Sequence, residues 1–171
     1  AKKIKNITYE EILEMASLGS KVLHPRSVEL AMKYDIKIHV RSSFKNKLGS
    51  MVVKEDKKLE KEIVTGITSS ENDANISVKG IPDKPGVAGQ IFSLLSDANI
   101  NVDMIVQNIT DDGKFASINF TVPVDDCKHA LSVLKNSKIK FKKISSDKNI
   151  SKISIVGVGM KSNVGVAKIM F

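Results

Sequence analysis

At 171 residues the chain is long enough for one or two small domains with cores of their own. Its 42% hydrophobic and 27% charged residues are the balance of a globular protein, no apolar run approaches the roughly 18–20 residues of a membrane span, and a single cysteine, Cys127, excludes an internal disulfide framework and any CxxC metal site. The net charge of +8 is carried by 25 Lys against only Arg26 and Arg41, whereas phosphate and base readout favours the Arg fork, so neither nucleic acid nor a membrane is an expected partner.

The N-terminus, Ala1-Lys2-Lys3-Ile4-Lys5, is too polar for a signal peptide, and the expected compartment is the cytoplasm. Thr8-Tyr9-Glu10-Glu11 has the form of a capping box, with Thr8 as the cap and Glu11 reaching back. Ile12, Leu13, Met15 and Ala16 follow at helical spacing, and Gly19 is a natural stop. Pro25 opens a second helix carrying Val28, Ala31 and Met32, with His24 as its expected cap. Alternating Ile36, Ile38 and Val40 predict a strand over 36–42, and Met51-Val52-Val53 a further one. The charged run 54–62 reads as a solvated linker and the first domain boundary.

Residues 63–68 read as a strand, 69–74 as turn-rich, and 75–81 as a strand with Ile76 and Val78 on one face. A helix over 86–98 carries Val87, Ile91, Leu94 and Leu95 on its buried stripe and ends at Asn99. Residues 101–109 and 114–122 form a hairpin about Asp111-Asp112-Gly113. A second helix opens at Val124 or Asp125, capped by Asp125-Asp126, and buries Ala130, Leu131 and Leu134, with Cys127 a quiet thiol in its first turn. Residues 138–144 read as a last strand, with Lys138, Lys140 and Lys142 guarding an edge. The order β-α-β-β-α-β is the ferredoxin-like plan of an α+β fold.

The chain also repeats itself. Ile76-Ser77-Val78-Lys79-Gly80-Ile81 returns as Ile153-Ser154-Ile155-Val156-Gly157-Val158, Gly86-Val87-Ala88 as Gly165-Val166-Ala167, and Phe92 as Phe171. A second copy of the module has begun and stops inside its first helix, so the sequence reads as a piece of a longer protein.

The turn Gly80-Ile81-Pro82-Asp83-Lys84-Pro85-Gly86 opens onto a helix that begins Val87-Ala88-Gly89. Two prolines stiffen it, and the first N–H groups of the helix have no intrahelical partner, which makes them an anion site reinforced by the helix dipole. Asp83 lies in the turn, Asp103 is expected to approach the same end of the sheet, and Gln107 shares a strand face with Asp103 by the period of two. An anion-binding helix end beside two carboxylates suits the zwitterion of a free amino acid. The same residues also suit a purely structural turn in which Asp83 only complements the helix N-terminus, and the residues alone leave both readings open. His24, His39 and His129 are too scattered to form a catalytic set.

The stretch Gly80–Ala88, followed by Asn99-Ile100-Asn101-Val102-Asp103-Met104-Ile105-Val106-Gln107-Asn108, closely resembles the first ACT domain, an amino-acid-sensing module, of bacterial aspartate kinases. Residues 15–26 and 38–44 resemble the end of the same family's kinase domain, and residues 158–166 the start of its second ACT domain. The resemblance implies a kinase-domain end over 1–53, a linker over 54–62, a strand and turn over 63–74 that complete the second module, the first ACT domain over 75–147 and the start of the second over 148–171. The parent enzyme would use ATP and Mg²⁺ to phosphorylate the β-carboxylate of aspartate, with most of its phosphate cradle outside this chain, so the chain alone is expected to be inactive. Lys21 and Val22 match a stretch that borders the nucleotide. The effector, L-lysine or L-threonine or both, would be held by Asp83, Gly86, Val87, Ala88, Asn101, Val102, Asp103 and Gln107, with Ser162, Asn163 and Val164 from the second module. Where the family has His-Pro this chain has Asn163-Val164, which leaves the effector's identity open. A homo-oligomer or α/β assembly through ACT sheets is expected. The alternative of an RNA-binding module rests on Lys114-Phe115-Ala116-Ser117-Ile118-Asn119-Phe120, which lacks the middle stacking ring.

Overall fold

The structure, a computed structural model, describes residues 3–54 and 64–157, together with Gly165 and Lys168. Its strands are β1 (Asn6–Thr8), β2 (Ile38–Val40), β3 (Ser50–Val53), β4 (Gly66–Ser70), β5 (Asp73–Pro82), β6 (Asp103–Ile109), β7 (Phe115–Pro123), β8 (Lys143–Asp147) and β9 (Lys152–Val156). Its helices are α1 (Tyr9–Ser17), α2 (Pro25–Lys33), α3 (Val87–Asp97) and α4 (Cys127–Lys135). They fall into two compact units, Ala1–Ser70 with Ile153–Phe171, and Glu71–Lys152.

In the first unit the capping box forms as read. The Glu11 N–H donates to Thr8 Oγ1 at 3.2 Å, and the Thr8 N–H to the Glu11 carboxylate at 3.0 Å. Pro25 starts α2, and His24 caps it by accepting the Arg26 N–H on Nδ1 at 3.2 Å. A three-stranded sheet runs β1-β3-β2, with β1 parallel and β2 antiparallel to β3. Ile7, Tyr9, Ile12, Val28, Ala31 and Val52 form the core between sheet and helices. The short β1 escapes the sequence reading because its three residues give one alternation and run straight into the cap of α1. The strand expected over 36–42 is confined to Ile38–Val40.

β4 lies later than expected. Residues 55–63, which hold the start of the expected strand and the charged run, lie outside the described residues. The Ser/Thr-rich residues 68–70, read as strand end and turn, are extended because β9 pairs with β4. The Thr65 N–H donates to Val156 O at 2.8 Å, and Thr68 Oγ1 to Leu18 O at 3.0 Å. Local polarity cannot reveal a strand partner more than eighty residues away.

The second unit is the βαββαβ plan. Its antiparallel sheet runs β6-β7-β5-β8. Ala74, Ile76 and Val78 of β5 and Ile118, Phe120 and Val122 of β7 point to one face and meet Ile91 and Leu95 of α3 and Ala130 and Leu134 of α4. Phe92 packs edge-on against Phe120, with ring centroids 5.6 Å apart. The last strand is not 138–144 but Lys143–Asp147. Gly80 sits at φ +70°, where β5 bulges between Lys79 and Ile81, so β8 pairs with β5 only up to Lys79. The preceding Ile139 and Phe141, whose alternation mimics a strand, pack against the core instead. Asp125 and Asp126 lie in a 3-10 turn, and the expected cap of α4 makes no side-chain hydrogen bond; the chain bends there to leave β7 before the helix begins.

Leu95 is fully buried at the centre of this unit, whereas Ile109 is 56% exposed. Leu95→Ala is expected to cost about 2–5 kcal/mol and Ile109→Ala no more than about 0.5 kcal/mol, read as shifts in the urea midpoint.

Candidate functional site

β5 ends at Pro82, and the chain turns through residues 83–86 into α3. The Asp83 N–H donates to Lys114 O at 3.0 Å, which ties the turn to the β6–β7 hairpin. The Lys84 N–H donates to Pro82 O at 2.9 Å, and the Val87 N–H to Lys84 O at 3.3 Å. Gly86 is the N-cap of α3 at φ +86°, a left-handed conformation that glycine adopts without strain. Among the described residues no side chain caps the helix, and the next N–H groups, those of Ala88 and Gly89, have no partner within it.

Beside this helix end is a cavity of about 350 Å³. Residues 81–88 form one side, Gln107 of β6 another, and Ala116 and Ile118 of β7 the floor. The volume is that of a small-molecule site. Of the residues singled out from sequence, the structure brings together Asp83, Gly86, Val87, Ala88 and Gln107. An apolar floor, the carboxylate of Asp83, the ammonium-bearing Lys84, the amide of Gln107 and the positive end of a helix converge there.

Asn101, Val102 and Asp103 do not line this cavity. Val102 packs against the core and Asn101 is exposed. The expectation that Asp103 approaches the loop is corrected for two physical reasons. First, α3 runs back along the sheet, so β6 starts at the end opposite the loop, and only Gln107, four residues on, returns to it. Secondly, Asp103 pairs with Thr121 and Gln107 with Ile118, because the register of β6 shifts between Asp103 and Val106, where Met104 adopts φ +46°. That extra residue breaks the period of two and puts Asp103 and Gln107 on opposite faces. Lys21 and Val22 are exposed in the turn between α1 and α2. Ser162, Asn163 and Val164 lie outside the described residues, while Gly165, the counterpart of Gly86 in the repeat, adopts the same left-handed conformation at φ +92°.

Asp103 instead meets Lys152, a partner that nothing in the sequence announces. Lys152 Nζ lies 2.7 Å from Asp103 Oδ2 and 3.5 Å from Asp73 Oδ2, and its side chain is only 8% exposed. The Met104 N–H donates to Asp103 Oδ1 at 2.7 Å. The hydrogen bond from Lys152, and after it that of Met104, holds the Asp103 carboxyl below its usual range. For Lys152 burial works against the charge, but the hydrogen bond and charge of Asp103, with Asp73 behind them, outweigh it and raise its pKa.

A carboxyl whose folded pKa is depressed contributes stability above its unfolded pKa of about 4 and loses it as pH falls through the folded value. Asp103→Asn is therefore expected to lower the urea midpoint at pH 6, with the gap to wild type closing as pH drops from about 5 to below 3. A gap that stays constant over this range would mean that the pair does not act through charge.

The model of the ACT domain matches residues 74–136, and that of the Amino acid kinase family residues 1–42. Aspartate kinase of Pseudomonas putida is 45% identical over 174 residues, covering all of this chain and 42% of that protein. The regulatory subunit of aspartate kinase from Thermus thermophilus, solved ligand-free, is 36% identical at a TM-score of 0.59, covering 64% of this chain and 73% of that one. E. coli aspartokinase III in complex with lysine and aspartate shares the fold, at 22% identity and a TM-score of 0.67, over 91% of this chain and 34% of that one. The chain spans less than half the length of the whole relatives it matches. The end of an amino acid kinase region followed by an ACT domain, matched at this identity, places the chain in the aspartokinase family.

Proposed function

We propose that this chain is the amino-acid-sensing region of an aspartokinase, and that the cavity at the N-terminus of α3 takes the α-amino and α-carboxylate groups of L-lysine or L-threonine. The observation that carries this reading is the convergence of Asp83, Gln107 and the uncapped helix end on one cavity of about 350 Å³. The free N–H groups and the helix dipole hold the carboxylate. Asp83 takes the ammonium, and Gln107 faces the remainder of the ligand. Gly86, Val87 and Ala88 supply backbone rather than side-chain chemistry. Asn101 and Val102 support the start of β6, and the expected effector contribution of Ser162, Asn163 and Val164 lies outside the described residues. The pairing of β4 with β9 supports placing Gly66–Ser70 with that second module, whereas Asp73 and Ala74, expected to go with it, belong to β5 of the first.

The full-length enzyme phosphorylates aspartate with ATP and Mg²⁺ in the cytoplasm. This chain contributes Lys21, an exposed ammonium suited to a phosphate, and Val22 beside it. An effector that binds the less active arrangement more tightly shifts the population toward it, and a coupling of about 1–3 kcal/mol gives roughly 5–150-fold inhibition. β6 is the outer strand beside β7, with Met104, Ile105, Val106 and Ile109 each about half exposed. That edge suits the expected pairing of ACT sheets in an oligomer. An RNA-binding module would need a row of rings on the open sheet face. β7 offers only Phe115 there, and the Lys142 ammonium lies 4.1 Å over that ring.

The test is thermal melting of the full-length protein with L-lysine, L-threonine, both, and L-leucine as control. Ligand at 100 times Kd stabilises the folded state by about 2.7 kcal/mol. A selective rise in Tm with lysine or threonine, lost in Asp83→Ala, is the expected result. No selective shift with either would overturn the sensor reading.

A further inference from the structure

One lysine holds the wall of the cavity from behind, without lining it. At Gly80 the chain takes φ +70°, and β5 bulges between Lys79 and Ile81. The bulge shifts the alternation of the strand, so that after Ile76 and Val78 the next core residue is Ile81, which also lines the cavity. Lys142 covers the bulge. Its N–H donates to Lys79 O at 2.9 Å, and its stem occupies the space of the missing side chain: a Cβ at Gly80 would lie 2.5 Å from Lys142 Cγ. The Lys142 ammonium lies 4.1 Å from the centre of the Phe115 ring on β7. Phe115 pairs with Pro82 across the ladder, and both its chain neighbours meet the site. Lys114 O accepts the Asp83 N–H at 3.0 Å, and Ala116 forms part of the cavity floor. Phe141, the residue before Lys142, packs against the core and anchors the lysine in the chain.

We infer that Lys142 is a positioning residue for effector binding: from the back of the sheet it fixes the Gly80 bulge to Phe115, and with them the Pro82–Asp83 turn and the Ala116 floor. This rests on the sensor reading above. Beyond Lys79 the ladder from β5 to β8 has ended, and a glycine has no side chain of its own to pack. The Lys142 stem supplies that packing, and its ammonium over the ring ties β5 across to β7. Residues 81–83 leave the bulge directly, so a change in its geometry moves the Asp83 carboxylate relative to the helix end. Lys142 thus acts on binding through Asp83 and Ala116. Guarding a sheet edge needs only an exposed charge, which Lys140 also offers. Neither the stem over Gly80 nor the ring contact is required for that, and these two contacts set Lys142 apart.

The experiment uses the full-length protein as wild type, Lys142→Ala, Lys142→Arg, Phe115→Leu and Lys140→Ala. Calorimetry gives the affinity for L-lysine and L-threonine, and a melt without either gives Tm. The expected result is that Lys142→Ala and Phe115→Leu bind the effector about fivefold more weakly or worse. Lys142→Arg, which keeps a stem and a cation over the ring, stays within about twofold of wild type. Lys140→Ala also stays within about twofold, which separates a positional role from the general loss of a positive charge. Position 142 is exposed, so Lys142→Ala decides where the two weakened variants differ or where Phe115→Leu does not fold. Wild-type affinity in Lys142→Ala, whatever its Tm, overturns the inference and leaves the sensor standing. An equal loss in Lys140→Ala, or no rescue by Lys142→Arg, does the same. A wild-type protein that binds neither amino acid overturns the sensor reading and this inference with it.

Discussion

β5 is paired along both edges, and the rest of the ferredoxin-like unit depends on that. Its inward residues, Ala74, Ile76, Val78 and Ile81, are almost completely buried, so α3 and α4 have one face on which to bury their apolar stripes. Its bulge at Gly80 ends the ladder to β8. The strand finishes at Pro82, a second proline stiffens the turn at Pro85, and the chain enters α3 through a left-handed glycine that carries no capping side chain. The uncapped helix end is thus a product of how the central strand terminates. With Ser, Thr or Asp at that N-cap, the first-turn N–H groups would be satisfied internally, and a glycine there leaves them for something else.

Much of this was legible because its causes are local. A capping box, a proline at the first helical turn, a hairpin turn and an apolar stripe each lie within a few residues, and each appears where it was read. What was not legible has distant causes. β4 is extended because β9 pairs with it, although Thr68, Ser69 and Ser70 read as turn formers. The last strand was placed too early because Ile139 and Phe141 alternate with lysines as a strand would, yet they fill the core below the sheet edge. Alternation records which side chains are buried, not whether the backbone between them is hydrogen-bonded to a neighbour.

The candidate site divides in the same way. The loop over residues 82–86 and the helix behind it are contiguous in sequence, and the cavity forms there. Gln107 reaches that cavity, but not by the period of two counted from Asp103. The bulge near Met104 reverses the parity, so the residue that reaches the cavity is the one whose face differs from that of Asp103. A single residue with positive φ, invisible in a hydrophobic pattern, decides which polar groups of β6 share the cavity with the helix end.

Asp83 and Asp103 therefore have different electrostatic roles. Asp103 is already engaged: the Lys152 ammonium and the Met104 N–H each bind one of its oxygens, and Asp73 shares the same lysine. A ligand ammonium there would compete with a protein ammonium that is almost wholly shielded from water, and displacing it would leave Lys152 buried without its closest charge partner. Asp83 has no such competitor among the described residues: it is exposed at the mouth of the cavity, its backbone N–H anchored to Lys114 and its carboxylate in no ion pair. Its negative charge also lies beside the helix end that attracts anions, so the cavity presents both signs within the span of a small molecule. With Lys84 also at the lining, this arrangement favours a zwitterion over a simple cation, which the helix dipole and the Lys84 ammonium would oppose.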